Sequence, residues 1–293
     1  MNRRKKLGFN GHTAFVIFNT IFMLFMIVIT LYPFYYSVIA SFSNPGKLMA
    51  HQGALLLPLK PYTGEAYQVI FDHPLVLSGF KNSFIVLFLG TFLNLVATSL
   101  GAYFLSLKNV LWKDVVAFMI IFTMYFGGGM IPVYLTVKQL GLTNTLWSLM
   151  IPGLIGTYNM IILRTGFQAV PDSLKEAAIL DGASHMQLLT QVILPLCKAN
   201  LAVIMLYYAV GHWNAWFNAS IYIRDNTLFP IQYVARNFME SPDLMGGAGS
   251  EAARYQELLK YALIIVVSSP IVIIYPFLQK YFAKGVMVGA LKG

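Results

Sequence analysis

Six stretches of this chain run without a single Asp, Glu, Lys or Arg: Leu7 to Gly46, Asn82 to Leu107, Val115 to Val137, Gln139 to Leu163, Ala199 to Ile223 and Tyr261 to Gln279. At about 1.5 Å of rise per helical residue, each approaches or exceeds the roughly 30 Å of hydrocarbon in a bilayer. Backbone polar groups find no water there, so a spanning segment must satisfy them internally, and a helix does so within one segment. The chain is therefore expected to be an all-α integral membrane protein with six transmembrane helices. Composition agrees: 58% of its 293 residues are hydrophobic and 11% charged, against about 25% charged in soluble domains, and mean hydropathy is +0.67.

The first run is longer than one crossing requires, and Asn44-Pro45-Gly46 supplies a turn, so the first helix is expected over about Thr13 to Ala40. Arg3 to Lys6 before an apolar run also resembles the opening of a signal peptide. The core is too long for one and lacks a small-x-small cleavage site, which favours a retained helix. With that basic end inside, six crossings leave 1–12, 108–114, 164–198 and 280–293 internal. Those segments hold 12 of the 20 Lys and Arg but 4 of the 11 acidic residues, the asymmetry expected of cytoplasmic loops. The +9 net charge is thus largely a matter of topology, and neither a nucleic-acid partner nor an anionic cargo is needed to explain it. The organisation expected is 1–77 for N-tail, first helix and external loop, 78–282 for a five-helix core including the internal loop 164–198, and 283–293 for a C-terminal tail.

Three features qualify this outline. The apolar run ALLLPL at 54–59, in the long connection 41–81, suits either the membrane interface or a partner. Gly127-Gly-Gly-Met-Ile-Pro132 cannot continue a uniform helix; either Gly127 to Gly129 is a hinge inside span three, or the helix ends near Phe126 and a loop follows. The connection of about 224–260 is expected to turn at its Gly-rich part and to form a helix from Glu251 into the sixth span. A single cysteine, Cys197, excludes an internal disulfide; no metal site is expected. The spans carry no acidic or basic residue, and His212 is the one imidazole clearly within them, where a structural hydrogen bond is the ordinary role. Ion-coupled carriers commonly place ionisable groups or broken helices near the midplane.

The polar sequence between spans four and five, PDSLKEAAILDGASHMQLLTQVILPL from Pro171 to Leu196, is the largest internal interruption. Ser173-x-x-Glu176 and Ser184-x-x-Gln187 both fit the capping box. Gly182 suits the left-handed residue that ends a helix, and Pro195 a stop or kink. The spacing predicts a short helix, a glycine turn and a second short helix. Ala177 and Ala178 present little side-chain bulk, as a helix lying against another protein requires; the bare residues are equally served by alanine as a helix former and Glu176 as a cap.

Glu176-Ala177-Ala178, Gly182 three residues on, Val192 nine residues further, and Leu194-Pro195 resemble the EAA loop of ABC importer permeases, with valine in place of isoleucine as the one departure. The likeness extends across nearly the whole chain and is greatest to carbohydrate-uptake permeases of the MalG type, in the complex-oligosaccharide branch. It implies a MetI/MalG-like permease fold in the inner membrane of a bacterium, with both termini cytoplasmic. Implied partners are a second homologous permease subunit, an ATPase subunit dimer that grips the EAA loops, an extracytoplasmic solute-binding protein and membrane lipid. It assigns coupling roles to Glu176, Ala177, Ala178, Asp181, Gly182, Leu194 and Pro195. The tail residues Gly289, Lys292 and Gly293 resemble that branch's glycine-rich end, which reaches towards the ATPase pair. ATP and Mg would sit on the ATPase partner: no GxxxxGK[ST] loop occurs in this chain, so no cofactor and no catalytic residue is expected on it.

Sugars suit surfaces that combine ring faces with amides. Trp213, Asn214, Trp216 and Asn218 near the end of span five are substrate-path candidates, as are Asn94 and Asn159, although interface anchoring and interhelical hydrogen bonds are the commoner uses of such residues. An oligosaccharide is the implied cargo, with acidic ones such as alginate or pectin fragments in range. The remaining readings are an ABC permease for a non-sugar solute, an ion-coupled secondary carrier and an intramembrane enzyme. The last lacks an H-E-x-x-H pair and any intramembrane carboxylate pair.

Overall fold

A computed structural model describes residues 11–108, 110–240, 256–274 and 276. The described chain is helical, with π and 3-10 turns between helices. Helix α1, Gly11–Ser41, is followed by α2, Pro45–Ala50, and α3, Glu65–Asp72. Helix α4, Pro74–Ile85, passes through a π turn at Val86–Gly90 into α5, Thr91–Ser106. Then come α6, Lys113–Tyr125, α7, Met130–Gln139, and α8, Thr157–Gln168. The polar loop supplies α9, Asp172–Leu180, α10, His185–Gln187, and α11, Leu194–Leu196. Helices α12, Lys198–Trp213, α13, Trp216–Tyr222, α14, Ile231–Glu240, and α15, Gln256–Ile274, complete the order.

Among the described residues three helices are long and apolar enough to span by themselves: Gly11–Ser41, Pro74–Ser106 and Gln256–Ile274. Two bent pairs raise the number to five, α6 with α7 at 116° and His185–Leu196 with α12 at 88°. The expected all-helical membrane fold is present, with three to five candidate spans among the described residues, some of them bent. The fourth expected span, Gln139 to Leu163, contains a 3-10 turn at Leu146–Leu149 and non-helical residues before α8. The twelve residues of α8 reach about 18 Å, short of the hydrocarbon thickness. Span three is broken at the glycines, as the first alternative has it: α6 stops at Tyr125, Gly129 takes φ +84°, and the chain turns sharply into a second helix instead of a loop. Pro132 lies in the first turn of α7, where its missing N–H is no loss.

The described residues fall into two compact units, one within 11–70 and 256–266, the other within 71–240 and 267–276. In the first, the connection after α1 is stitched to the end of that helix. Tyr32 accepts the Leu55 amide at 3.0 Å, Tyr35 donates to the Leu56 carbonyl, and Ser43 accepts the Leu59 amide. The ALLLPL run is thereby divided: Leu55 is buried, while Leu56 and Leu57 remain 65% and 75% exposed.

In the second unit helices approach through small residues, as membrane helices must when burial of apolar surface gives little drive. A Cβ on Gly101 of α5 would stand 2.9 Å from Met160 Sδ of α8, and one on Gly166 of α8 would stand 2.8 Å from Asn200 of α12. Helix α14, which lies within the stretch read from sequence as a connection, packs Ile231, Val234, Ala235 and Phe238 inward. Gly79 of α4 admits its backbone closely, and Ser83 Oγ accepts the Ile231 amide at 2.8 Å.

Candidate functional site

The polar loop folds as a projecting helix, a glycine turn and a return into the bundle. No residue of α9 is buried. Its start differs from the sequence expectation. Asp172 already has helical geometry, so Pro171 occupies the N-cap, and a proline has no side-chain acceptor to offer. Ser173 therefore forms no capping box with Glu176. The second box is present: Ser184 Oγ accepts the Gln187 amide, and Gln187 Oε1 accepts the Ser184 amide at 2.8 Å. Ser184→Ala should release about 1 kcal/mol of local order, seen as roughly five-fold faster hydrogen exchange at Gln187. Ser173→Ala should leave exchange across α9 unchanged.

Gly182 has φ +82°, the left-handed conformation expected of it. The turn closes with Gly182 N–H donating to Ile179 O and Ala183 N–H to Ala178 O, both at 3.0 Å. Glu176, Ala177 and the capping residue Asp181 are exposed, while Ala178 packs against the core. Leu174, Ile179, Leu180 and Met186 stand exposed beside them, Leu180 at 87%. Burying such an apolar side chain against a partner would contribute roughly 1.5–3 kcal/mol. Sequence reading had passed over these apolar neighbours; their nearness to Ala177 in the helix was the available signal.

Beyond α10 a π turn, Leu188–Ile193, buries Leu188, Leu189 and Ile193. It precedes Pro195, whose ring disfavours the regular helical bond beneath it, and a widened turn accommodates that conflict. Leu194 is half-buried against the core and Pro195 exposed, just before the 88° bend into α12. The base of α9 is held by Asp172, which accepts from Lys108 Nζ at 2.6 Å and from Lys175 Nζ at 3.4 Å. The hydrogen bond from Lys108 holds the Asp172 carboxyl below its usual range, and the same bond raises Lys108. The pair is charged at neutral pH. Its contribution is present above the ordinary carboxylate pKa and is lost as pH falls through the lowered one.

The substrate-path candidates do not form one face. Helix α12 ends at Trp213, Asn214 caps it, and α13 begins at Trp216, so the single helical stripe expected from spacing is broken. Trp213 is buried against Phe80 and Phe84. Asn214 and Asn218 are exposed; Trp216 carries the Arg236 guanidinium 3.7 Å over its ring. Asn159 is buried in α8. Asn94 is fully buried and donates to the carbonyls of Gly153 and Leu154, both at 2.8 Å, while its Oδ1 accepts from His212 Nε2 at 2.6 Å. Tyr208 accepts the Gly156 amide at 2.8 Å and bonds Thr98 Oγ1 at 2.7 Å. These side chains satisfy the non-helical backbone before α8, without which it could not persist among membrane helices. Gly289, Lys292 and Gly293 lie outside the described residues.

A multi-helix membrane subunit with a projecting helix–glycine–helix loop is the class that fold and site define. The chain belongs to the family of binding-protein-dependent transport system inner membrane components, which it matches over residues 97–288. It is the permease component of such an ABC transporter, a multi-pass bacterial inner-membrane protein and not the ATPase subunit. Protein LplC of Bacillus subtilis (strain 168) is 37% identical over 96% of this chain and 95% of its own length. The polygalacturonan/rhamnogalacturonan transport system permease protein YtcP of the same organism is 35% identical over 93% and 96%. Among solved structures, a bacterial ABC transporter involved in import of the acidic polysaccharide alginate superposes with a TM-score of 0.85 at 28% identity, covering 95% of this chain and 100% of that one. These relatives place the chain in the carbohydrate-uptake branch, and the expected family stands.

Proposed function

We propose that this chain is one of two permease subunits that together pass an acidic oligosaccharide, of the pectin or alginate class, through the cytoplasmic membrane. The exposed α9 with the EAA spacing, ending at left-handed Gly182, carries the reading. A helix without buried residues, tied at its base and flanked by exposed apolar side chains, fits a groove on a cytosolic ATPase. Glu176, Ala177, Ala178, Asp181 and Gly182 form the docking element, with Leu194 and Pro195 joining it to span five. ATP and Mg act on the ATPase pair, whose closure turns the pathway outward; both termini of this chain face the cytoplasm, and Gly289, Lys292 and Gly293 reach towards the same partners. An extracytoplasmic binding protein delivers cargo to the opposite side, where Asn214, Trp216 and Asn218 surround the start of α13.

Acidic cargo is favoured by what the relatives' names state, a polygalacturonan/rhamnogalacturonan system and an alginate importer. The test is purification from the native membrane followed by uptake in vesicles. A second permease and an ATPase should accompany the chain, and unlabelled oligogalacturonate should compete with labelled oligogalacturonate far better than maltotriose does. Preparations without an ATPase would overturn the reading; equal competition by the neutral sugar would overturn the acidic cargo.

A further inference from the structure

Span two touches the loop at two points that the coupling motif does not contain. Tyr103, buried to 7% exposure near the end of α5, hydrogen-bonds His185 Nδ1 through its hydroxyl at 2.8 Å, and His185 opens α10. Two residues beyond that helix, Lys108 grips Asp172 at the opening of α9. One helix end thus holds the first residue of each half of the loop, on either side of the Gly182 turn. Apolar packing of Leu188, Leu189 and Ile193 seats the loop but is non-directional. A hydrogen bond and an ion pair from separate positions also fix its rotation.

The same helix reaches the middle of the unit. Helix α5 runs unbroken from Thr91 to Ser106, and its Asn94 lies nine residues before Tyr103, about 13 Å along the axis. Asn94 holds the carbonyls of Gly153 and Leu154 and receives His212. Buried hydrogen bonds with fixed partners have discrete arrangements, and a rigid helix between two such sets carries displacement from one to the other.

We propose that Tyr103 and Lys108 are positioning residues that make span two a lever: movement of the docking loop shifts α5 and, through Asn94, the non-helical residues 153–154. This rests on the proposed docking role of the loop. It adds a second route to the bundle interior, independent of the direct continuation through Pro195 into α12.

The test uses the complete transporter, purified with its ATPase and reconstituted, in a Cys197→Ala, Gly153→Cys background. Cys197 is the chain's single cysteine, and Gly153 is exposed with nothing within 4 Å of an added Cβ. Maleimide labelling at position 153 is compared with and without ATP and vanadate. The rate should change by about five-fold with the wild-type strut, the scale set by one hydrogen bond. Tyr103→Phe and His185→Ala should each clearly reduce that change while ATP hydrolysis persists, the double variant should add nothing, and His185→Gln, which keeps an acceptor, should restore it. An unchanged response in Tyr103→Phe, or a wild-type rate indifferent to ATP, would overturn the lever alone. Absence of ATPase from the wild-type preparation would overturn the docking role and the lever with it.

Discussion

Gly182→Val is expected to reduce uptake by at least ten-fold while the protein still reaches the membrane in normal amount. At φ +82° a β-branched residue is strained, by roughly 1–3 kcal/mol. An added Cβ meets nothing within 4 Å, so the cost falls on the backbone and not on a clash. The turn relieves it by reopening the bonds from Gly182 and Ala183 to Ile179 and Ala178. The core beneath the loop does not depend on that turn, because Leu188, Leu189 and Ile193 remain seated. The direction of α9 does depend on it, and in the proposed docking role a helix that points wrongly would no longer transmit ATPase closure. Parallel immunodetection in membranes and vesicle uptake separates the two effects; undiminished uptake would remove Gly182 from the coupling role proposed for it.

The second large effect is on stability and comes from a single methyl group. Gly90→Ala would place a Cβ 2.7 Å from His212 Nε2 and 2.8 Å from Cε1. That ring is held by Asn94, which is itself held by Gly153 and Leu154. Relief therefore requires parting a buried network, at about 2–3 kcal/mol from overpacking and a lost hydrogen bond. Gly101→Ala is the control, since its Cβ would meet Met160 Sδ at a similar 2.9 Å. A thioether on a flexible chain moves aside at small cost. Thermal unfolding in detergent should show a clearly lower midpoint for Gly90→Ala than for Gly101→Ala, and equal midpoints would mean that the network does not constrain His212.

Much of the polar loop's local shape was legible in the sequence. The loop was found from the spacing of Glu176, Gly182, Leu194 and Pro195, and the Ser184–Gln187 box formed where its residues lay. Both depend on short-range geometry, which sequence separation encodes directly. The Ser173 box failed by two residues, because Pro171 takes the N-cap position and Asp172 begins the helix. The bends within the spans were not legible for a different reason. Absence of charge marks what tolerates hydrocarbon but does not distinguish one long helix from two bent ones, and the π turn at Val86–Gly90 has no counterpart in hydropathy.

What the amino-acid sequence determined by itself was therefore the solvent of this protein, its helical class, its family and the glycine turn of its polar loop. Those follow from local quantities: charge-free length, helix-ending residues and a fixed spacing. Tertiary structure alone decided that Asn94, His212 and Tyr208 support broken backbone, that Trp213 is interior, and that Tyr103 and Lys108 hold the two halves of the loop. Their hydrogen-bond partners lie between 52 and 118 residues away, and the rings against Trp213 further still. Contacts across such separations depend on how helices cross and how closely glycines let them approach, and no local periodicity records either.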